Sequence, residues 1–115
     1  MIVTVYFKVS NQEQKKGRIQ RATQESLRGL TPQENAVVTC KILTDQYPPN
    51  DPKPKIVLLN AAAAIVVGGM ADNISEGLEL AAQSIETGAA YSKLLSLIKF
   101  TDGDLSKIEE LKTRE

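Results

Sequence analysis

Histidine is missing from all 115 residues, and cysteine occurs once. The first absence removes the commonest general base and metal ligand. The second leaves Cys40 without an internal disulfide partner, which suits a reducing cytoplasm. Neither charge sign dominates: 14 Lys and Arg cancel 14 Asp and Glu, so no global field favours nucleic acid or an anionic membrane. Long apolar runs are also absent. The longest, residues 55–67, falls short of the roughly 20 residues that cross a bilayer. The N-terminus alternates apolar and polar residues and its positive charges come after that stretch, so no signal peptide is expected. With 42 % hydrophobic content, the chain suffices for one small domain or fragment with a modest core.

What is present centres on residues 55–67, in which, after Lys55, one isolated polar side chain, Asn60, stands in a run that is apolar on every side. A helix with no polar face is expected to be buried, and a buried Asn60 must find hydrogen-bond partners or cost roughly 1–3 kcal/mol. Gly68-Gly69 supplies the stop. At the other end of the chain, Val3, Val5, Phe7 and Val9 alternate with Thr4, Tyr6 and Lys8, the pattern of a half-buried strand. No comparable strand follows, so this one is expected to pair outside the chain, with another copy or a missing part of the protein.

Between these features the pattern is helical. Residues 10–17 read as a polar loop, and residues 18–28 as a helix thin in apolar positions, with Ile19, Ala22 and Leu27 facing inward. Thr31-Pro32-Gln33-Glu34 forms a capping box, behind which Ala36, Val37, Cys40, Leu43 and Tyr47 make a core-facing stripe. Residues 48–54 hold four of the five prolines and read as a stiff connection, with Asp51 or Lys53 near the next cap. Asn73-Ile74-Ser75-Glu76 offers a second capping box, followed by Ile74, Leu78, Ala81, Ala82 and Ile85 on one face. Gly77 inside that helix costs about 1 kcal/mol relative to alanine and implies a close approach by a neighbour. Gly88 interrupts it; Ala90, Leu94, Leu97 and Ile98 continue as a further helix or a kinked extension. Asp102-Gly103 turns the chain, and Leu105, Ile108 and Leu111 mark a short last helix. The expected organisation is a strand plus loop over 1–17, helices over 18–47, a proline-rich connection over 48–54 and helices over 55–115. The expected class is mostly α with one N-terminal β-strand (α+β).

No pattern assembles a reactive site. Cys40, on an apolar stripe without any histidine, reads as a structural thiol. Asp102 with Asp104, and Glu109 with Glu110, have the spacing of solvated carboxylates more than of cation ligands. Gly68-Gly69 lacks the G-x-x-x-x-G-K pattern of a phosphate loop and follows a helix instead of a strand. Lys15, Lys16, Arg18, Arg21 and Arg28 cluster without interleaved aromatics, which argues against nucleic-acid binding. Asn60 is expected to bond a neighbouring backbone and fix packing register. No catalytic, cofactor-binding or metal residue is assigned.

A series of short motifs nevertheless carries a resemblance. Asn60 to Ala64, then Gly69-Met70-Ala71-Asp72, then Glu76-Gly77-Leu78-Glu79-Leu80-Ala81, then Ile85-Glu86-Thr87-Gly88-Ala89-Ala90 with Leu94 resemble the C-terminal end of anthranilate phosphoribosyltransferases. Upstream, Leu27-Arg28-Gly29 and Pro32-Gln33-Glu34-Asn35-Ala36 resemble that family's L-x-G-G-x-x-x-E-N-A segment. The resemblance spans residues 18–100. It implies helices packed as the outer layer of a phosphoribosyltransferase and nucleoside-phosphorylase type α/β domain. It also implies a cytoplasmic tryptophan-pathway enzyme that joins anthranilate to phosphoribosyl pyrophosphate with magnesium. The family's G-T-G-G-D loop, its basic anthranilate-contacting residues and its acidic metal-binding pair lie upstream and have no counterpart here. The chain is therefore expected to be inactive alone, and to bind either the missing N-terminal part of the transferase or further copies of itself. The alternative is a self-associating structural or interaction domain without enzymatic activity.

Overall fold

The computed structural model describes residues 22–114. Every regular element among them is helical: a 3-10 turn at Glu25–Leu27, then α1 (Pro32–Leu43), α2 (Pro52–Val67), α3 (Ile74–Glu86), α4 (Ala89–Phe100) and α5 (Leu105–Thr113). This corrects the α+β class. The β component rested on residues 2–9 alone, which lie outside the described residues, and no strand among the described residues offers that segment a ladder. No helix among the described residues is long and apolar enough to cross a membrane.

The helix boundaries follow from local chemistry. At the start of α1, the Thr31 hydroxyl accepts the Glu34 N–H at 3.3 Å while a Glu34 carboxylate oxygen accepts the Thr31 N–H at 3.0 Å. The capping box expected there is present, with Pro32 in the first helical position. Thr31→Ala is expected to lower stability by about 1 kcal/mol, and Thr31→Ser to recover most of it, as read from urea midpoints. Before α2, the Asp51 carboxylate accepts the Lys53 N–H at 2.9 Å, so Asp51 is the cap. Pro52 and Pro54 then stand in the first turn, where proline is tolerated.

Helix ends repeat one device. After α2, Gly69 takes φ 78°, its N–H bonds Val66 O and the Met70 N–H bonds Ile65 O, both at 3.0 Å. This is a Schellman stop at the glycine pair that the sequence marks. α1 ends in the same way without glycine: Asp45 takes φ 56°, and the Gln46 N–H reaches Lys41 O at 2.9 Å. The helix thus stops at Leu43, short of Tyr47, because aspartate tolerates the left-handed conformation. Asp102 (φ 55°) ends α4 likewise, and Gly88 (φ 78°) makes α4 a helix separate from α3.

The chain divides into two compact units, the boundary falling inside α3 after Gln83. One takes in residues up to Arg28 together with Pro49–Gln83. Its buried residues include Leu59, Ala62, Ala71, Gly77 and Ala81. A Cβ added at Gly77 would stand 2.7 Å from Ala62 O, so α3 crosses α2 backbone to backbone, the close approach that a helical glycine implies. α2 is not buried all round, however. Only Leu59 and Ala62 are fully inside, while Val57, Asn60, Ala64 and Val67 are exposed. The expectation of a fully buried helix is corrected because described neighbours cover one side of α2 only.

The other unit takes in Gly29–Pro48 and residues from Ser84 onward, with α1 packed against α4 and α5 and these two against each other. Cys40, Ile42 and Ile108 are buried there. Ala36, Val37, Leu43 and Tyr47 of the expected stripe are half-buried, and Ile42 was not among the positions read as inward.

Candidate functional site

Within the second unit, Cys40 is 1 % exposed and its thiol points at Ile108 O, 4.0 Å away. Burial pushes the thiol above its ordinary value, more than the Lys112 ammonium draws it down. A protonated, inaccessible sulfur is a poor nucleophile. Tyr91 lies nearby, its hydroxyl buried without a hydrogen bond and its ring 5.4 Å from Lys112 Nζ. Burial first, then the Glu109 carboxylate, push the phenol up. Cys40 and Tyr91 therefore keep their protons at neutral pH, and neither is activated as an attacking atom.

The two aspartates considered as cation ligands have other work. Asp102 ends α4. Asp104 caps α5, accepting the Ser106 hydroxyl at 2.6 Å and the Ser106 N–H at 2.9 Å. Those two bonds hold its carboxyl below the ordinary value. The contribution of this cap is therefore present above the unfolded-state pKa and is lost as pH falls through the lower folded value. Urea midpoints measured from pH 7 to pH 3 are expected to fall further for the wild type than for Asp104→Asn, whose amide keeps an acceptor but does not titrate. Glu109 and Glu110 are exposed on α5, and no group of three or more His, Cys, Asp or Glu among the described residues could hold a metal ion. Of the basic cluster, Arg28 is exposed and Lys15, Lys16, Arg18 and Arg21 lie outside the described residues.

Residues of the resembling motifs hold backbone in place. Asn35 clamps Leu30, its Oδ1 accepting the Leu30 N–H at 3.0 Å and its Nδ2 donating to Leu30 O at 3.2 Å. Sequence reading missed this role; the only signal was the place of Asn35 beside the capping glutamate. Asn73 Oδ1 accepts the Glu76 N–H at 2.9 Å, but Glu76 reaches back to the Asp72 N–H instead of that of Asn73, also at 2.9 Å. The second capping box is thus opened by one residue. Asn60 departs from expectation most: it is exposed, and its amide donates to Ile56 O of its own helix at 2.9 Å.

Comparison with known proteins places these motifs. Residues 6–91 match the glycosyl transferase family, a/b domain. The anthranilate phosphoribosyltransferase of Pelotomaculum thermopropionicum is 49 % identical over 80 residues, which is 70 % of this chain and 22 % of that protein. That of Methanobrevibacter smithii is 40 % identical over 84 residues, 73 % of this chain and 24 % of the relative. The enzyme of the same name from Desulfosudis oleivorans is 42 % identical over 81 residues, 70 % of this chain and 23 % of its own length. The chain therefore spans under a quarter of the length of these curated relatives. No solved structure matches it. A match from residue 6 to residue 91 takes in α1, α2, α3 and the first turn of α4, and by it the chain belongs to the glycosyl transferase family through its a/b domain.

Proposed function

We propose that the chain is the C-terminal helical section of an anthranilate phosphoribosyltransferase, acting in the cytoplasm and only in assembly with the polypeptide that carries the substrate motifs. The supporting observation is the 49 % identity over 80 residues to a relative of that name. The reaction transfers the phosphoribosyl group to the anthranilate nitrogen, forming the C–N bond as the bond to pyrophosphate breaks. Its phosphate loop and acidic magnesium pair have no counterpart in these 115 residues, so both belong to the partner in this reading. The chain's part is to complete the partner's fold and so hold its substrate residues in register, since small misplacements in an active site cost large factors in rate.

Co-expression with an upstream polypeptide bearing G-T-G-G-D tests this. The expected result is a co-purifying complex that consumes anthranilate in the presence of phosphoribosyl pyrophosphate and magnesium, while the chain alone does not. Absence of both complex and turnover would sink the reading.

A second reading, self-association without catalysis, is favoured by apolar side chains left in solvent, Phe100 at 88 % and Leu97 at 58 % exposure on α4. Sedimentation equilibrium distinguishes it: a single monomeric species with a cooperative melt speaks against a self-assembling domain.

A further inference from the structure

Ala89, Lys93, Ser96, Leu97 and Phe100 are exposed on one side of α4, opposite the half-buried Tyr91, Leu94, Leu95 and Ile98. At 3.6 residues per turn the five share an arc of roughly 100°. Phe100 is 88 % exposed and Leu97 58 %, and three residues apart they stand side by side near the end of the helix. Lys93 is the one charged residue of the arc and lies about 10 Å from Phe100 toward the N-terminus. Beyond Phe100 the chain turns at once: the Gly103 N–H reaches back to Ile98 O at 2.8 Å, which holds the exposed Asp102 and Asp104 at the C-terminal end of α4. The face thus has a cation at one end, carboxylates at the other and an apolar pair between them.

Resting on the self-association of the second reading, though not on its lack of catalysis, we infer that this face of α4 is a two-fold contact between two copies of the chain, with the helices antiparallel. The charge pattern selects both the occupant and the orientation. A two-fold axis between Leu97 and Phe100 sets Leu97 of each copy against Phe100 of the other and brings each Lys93 to the other copy's acidic turn. The positive end of each helix dipole then lies beside the negative end of the other. Parallel packing would place Lys93 beside Lys93 and one acidic turn beside the other. An aliphatic sheet face of another polypeptide would cover Leu97 and Phe100 but offer Lys93 no counter-charge. Lys99 points about 110° away from the middle of the arc, so it does not stand between the turn and the incoming Lys93. Lys107 acts on Asp104 within its own chain, which leaves Asp102 as the main counter-charge. With two large apolar side chains per copy the contact is small, and dissociation is expected in the micromolar to millimolar range.

Sedimentation equilibrium of the full chain at micromolar to millimolar concentration is expected to show monomers in exchange with dimers. Leu97→Ser/Phe100→Ser is expected to raise the dissociation constant about tenfold or more, and Lys93→Glu about threefold or more at low salt, the second effect fading as salt is added. Val67→Ser, which removes an exposed apolar side chain from α2, is expected to leave the constant unchanged. Because the substituted side chains are exposed, all three variants should keep their helical circular dichroism. Orientation is read without any substitution: carbodiimide coupling of a mixture of isotope-labelled and unlabelled chains is expected to yield an amide between Lys93 of one copy and Asp102 or Asp104 of the other, identified by mass spectrometry. A dimer that the double-serine variant leaves intact, or mixed-isotope links that never join Lys93 to the acidic turn, overturns the α4 contact and leaves self-association standing. In Phe100→Cys the new thiol is exposed while Cys40 is buried. Its protection from maleimide only when a polypeptide bearing G-T-G-G-D is present overturns the contact too, assigning the face to that polypeptide. A wild-type chain that stays monomeric throughout overturns both the contact and self-association.

Discussion

Truncating Leu59 to alanine is expected to remove about 2–5 kcal/mol of stability. Leu59 is 2 % exposed and, with Cys40, is among the largest fully buried side chains of the described residues. Its fully buried companions among the described residues of the same unit are Ala62, Ala71, Gly77 and Ala81. None of them has a side chain long enough to swing into the space that a leucine leaves. A cavity left there carries lost contacts as well as the transfer term. For a chain of this size, each 1 kcal/mol moves the melting temperature by about 4–8 °C, so the variant should melt at least about 8 °C lower. Thermal and urea unfolding followed by circular dichroism give the value. Val67→Ala on the exposed side of the same helix should change stability by less than about 0.5 kcal/mol. A loss of under 1 kcal/mol at Leu59 would mean that the unit lacks the core described.

The contrast between Leu59 and Val67 also shows where sequence reading stops. Both are aliphatic residues in one helix, and periodicity cannot rank the sides of a helix that is apolar all round. Which side is covered depends on neighbours distant in sequence: α3 lies against Ala62, and no described element covers Val67. Asn60 was misplaced for the same reason. Helix boundaries were legible wherever they depend on a few adjacent residues, as at Thr31 with Glu34, Asp51 with Pro52, and Gly68-Gly69. The stop at Asp45 was not, because the left-handed residue there is an aspartate with no glycine to mark it. The family was legible through residues that hold backbone, not through residues that do chemistry. Glu34 and Asn35 fix the start of α1, Gly69 and Gly88 take positive φ, Glu76 reaches back to Asp72, and Gly77 admits α2. A substrate site was not legible in the sequence, because no reactive residue types recur at a spacing that one chemistry requires.

Gly77→Ala sets two opposed effects against each other, and their magnitudes decide the sign. Alanine in a helix interior is favoured over glycine by about 1 kcal/mol, so at an open position the substitution would stabilise. Here the added Cβ would lie 2.7 Å from Ala62 O and 3.2 Å from Ala62 Cα. Both atoms are backbone, so no rotamer change relieves the contact and the two helices must move apart. Overpacking of this kind costs about 1–3 kcal/mol, and separation would also expose buried residues of the unit, Leu59 and Ala81 among them. The expected outcome is a net loss of about 1–2 kcal/mol in urea unfolding, and Gly77→Leu should lose more. Gly69→Ala is the control that separates strain from crowding. Gly69 has φ 78° and nothing within 4 Å of the position of an added Cβ, so its loss of about 1–2 kcal/mol arises from conformation alone. If Gly77→Ala stabilised the chain by the helix-propensity increment, α2 and α3 could not be in backbone contact. The packing that leaves Val57, Asn60, Ala64 and Val67 exposed would then be wrong as well.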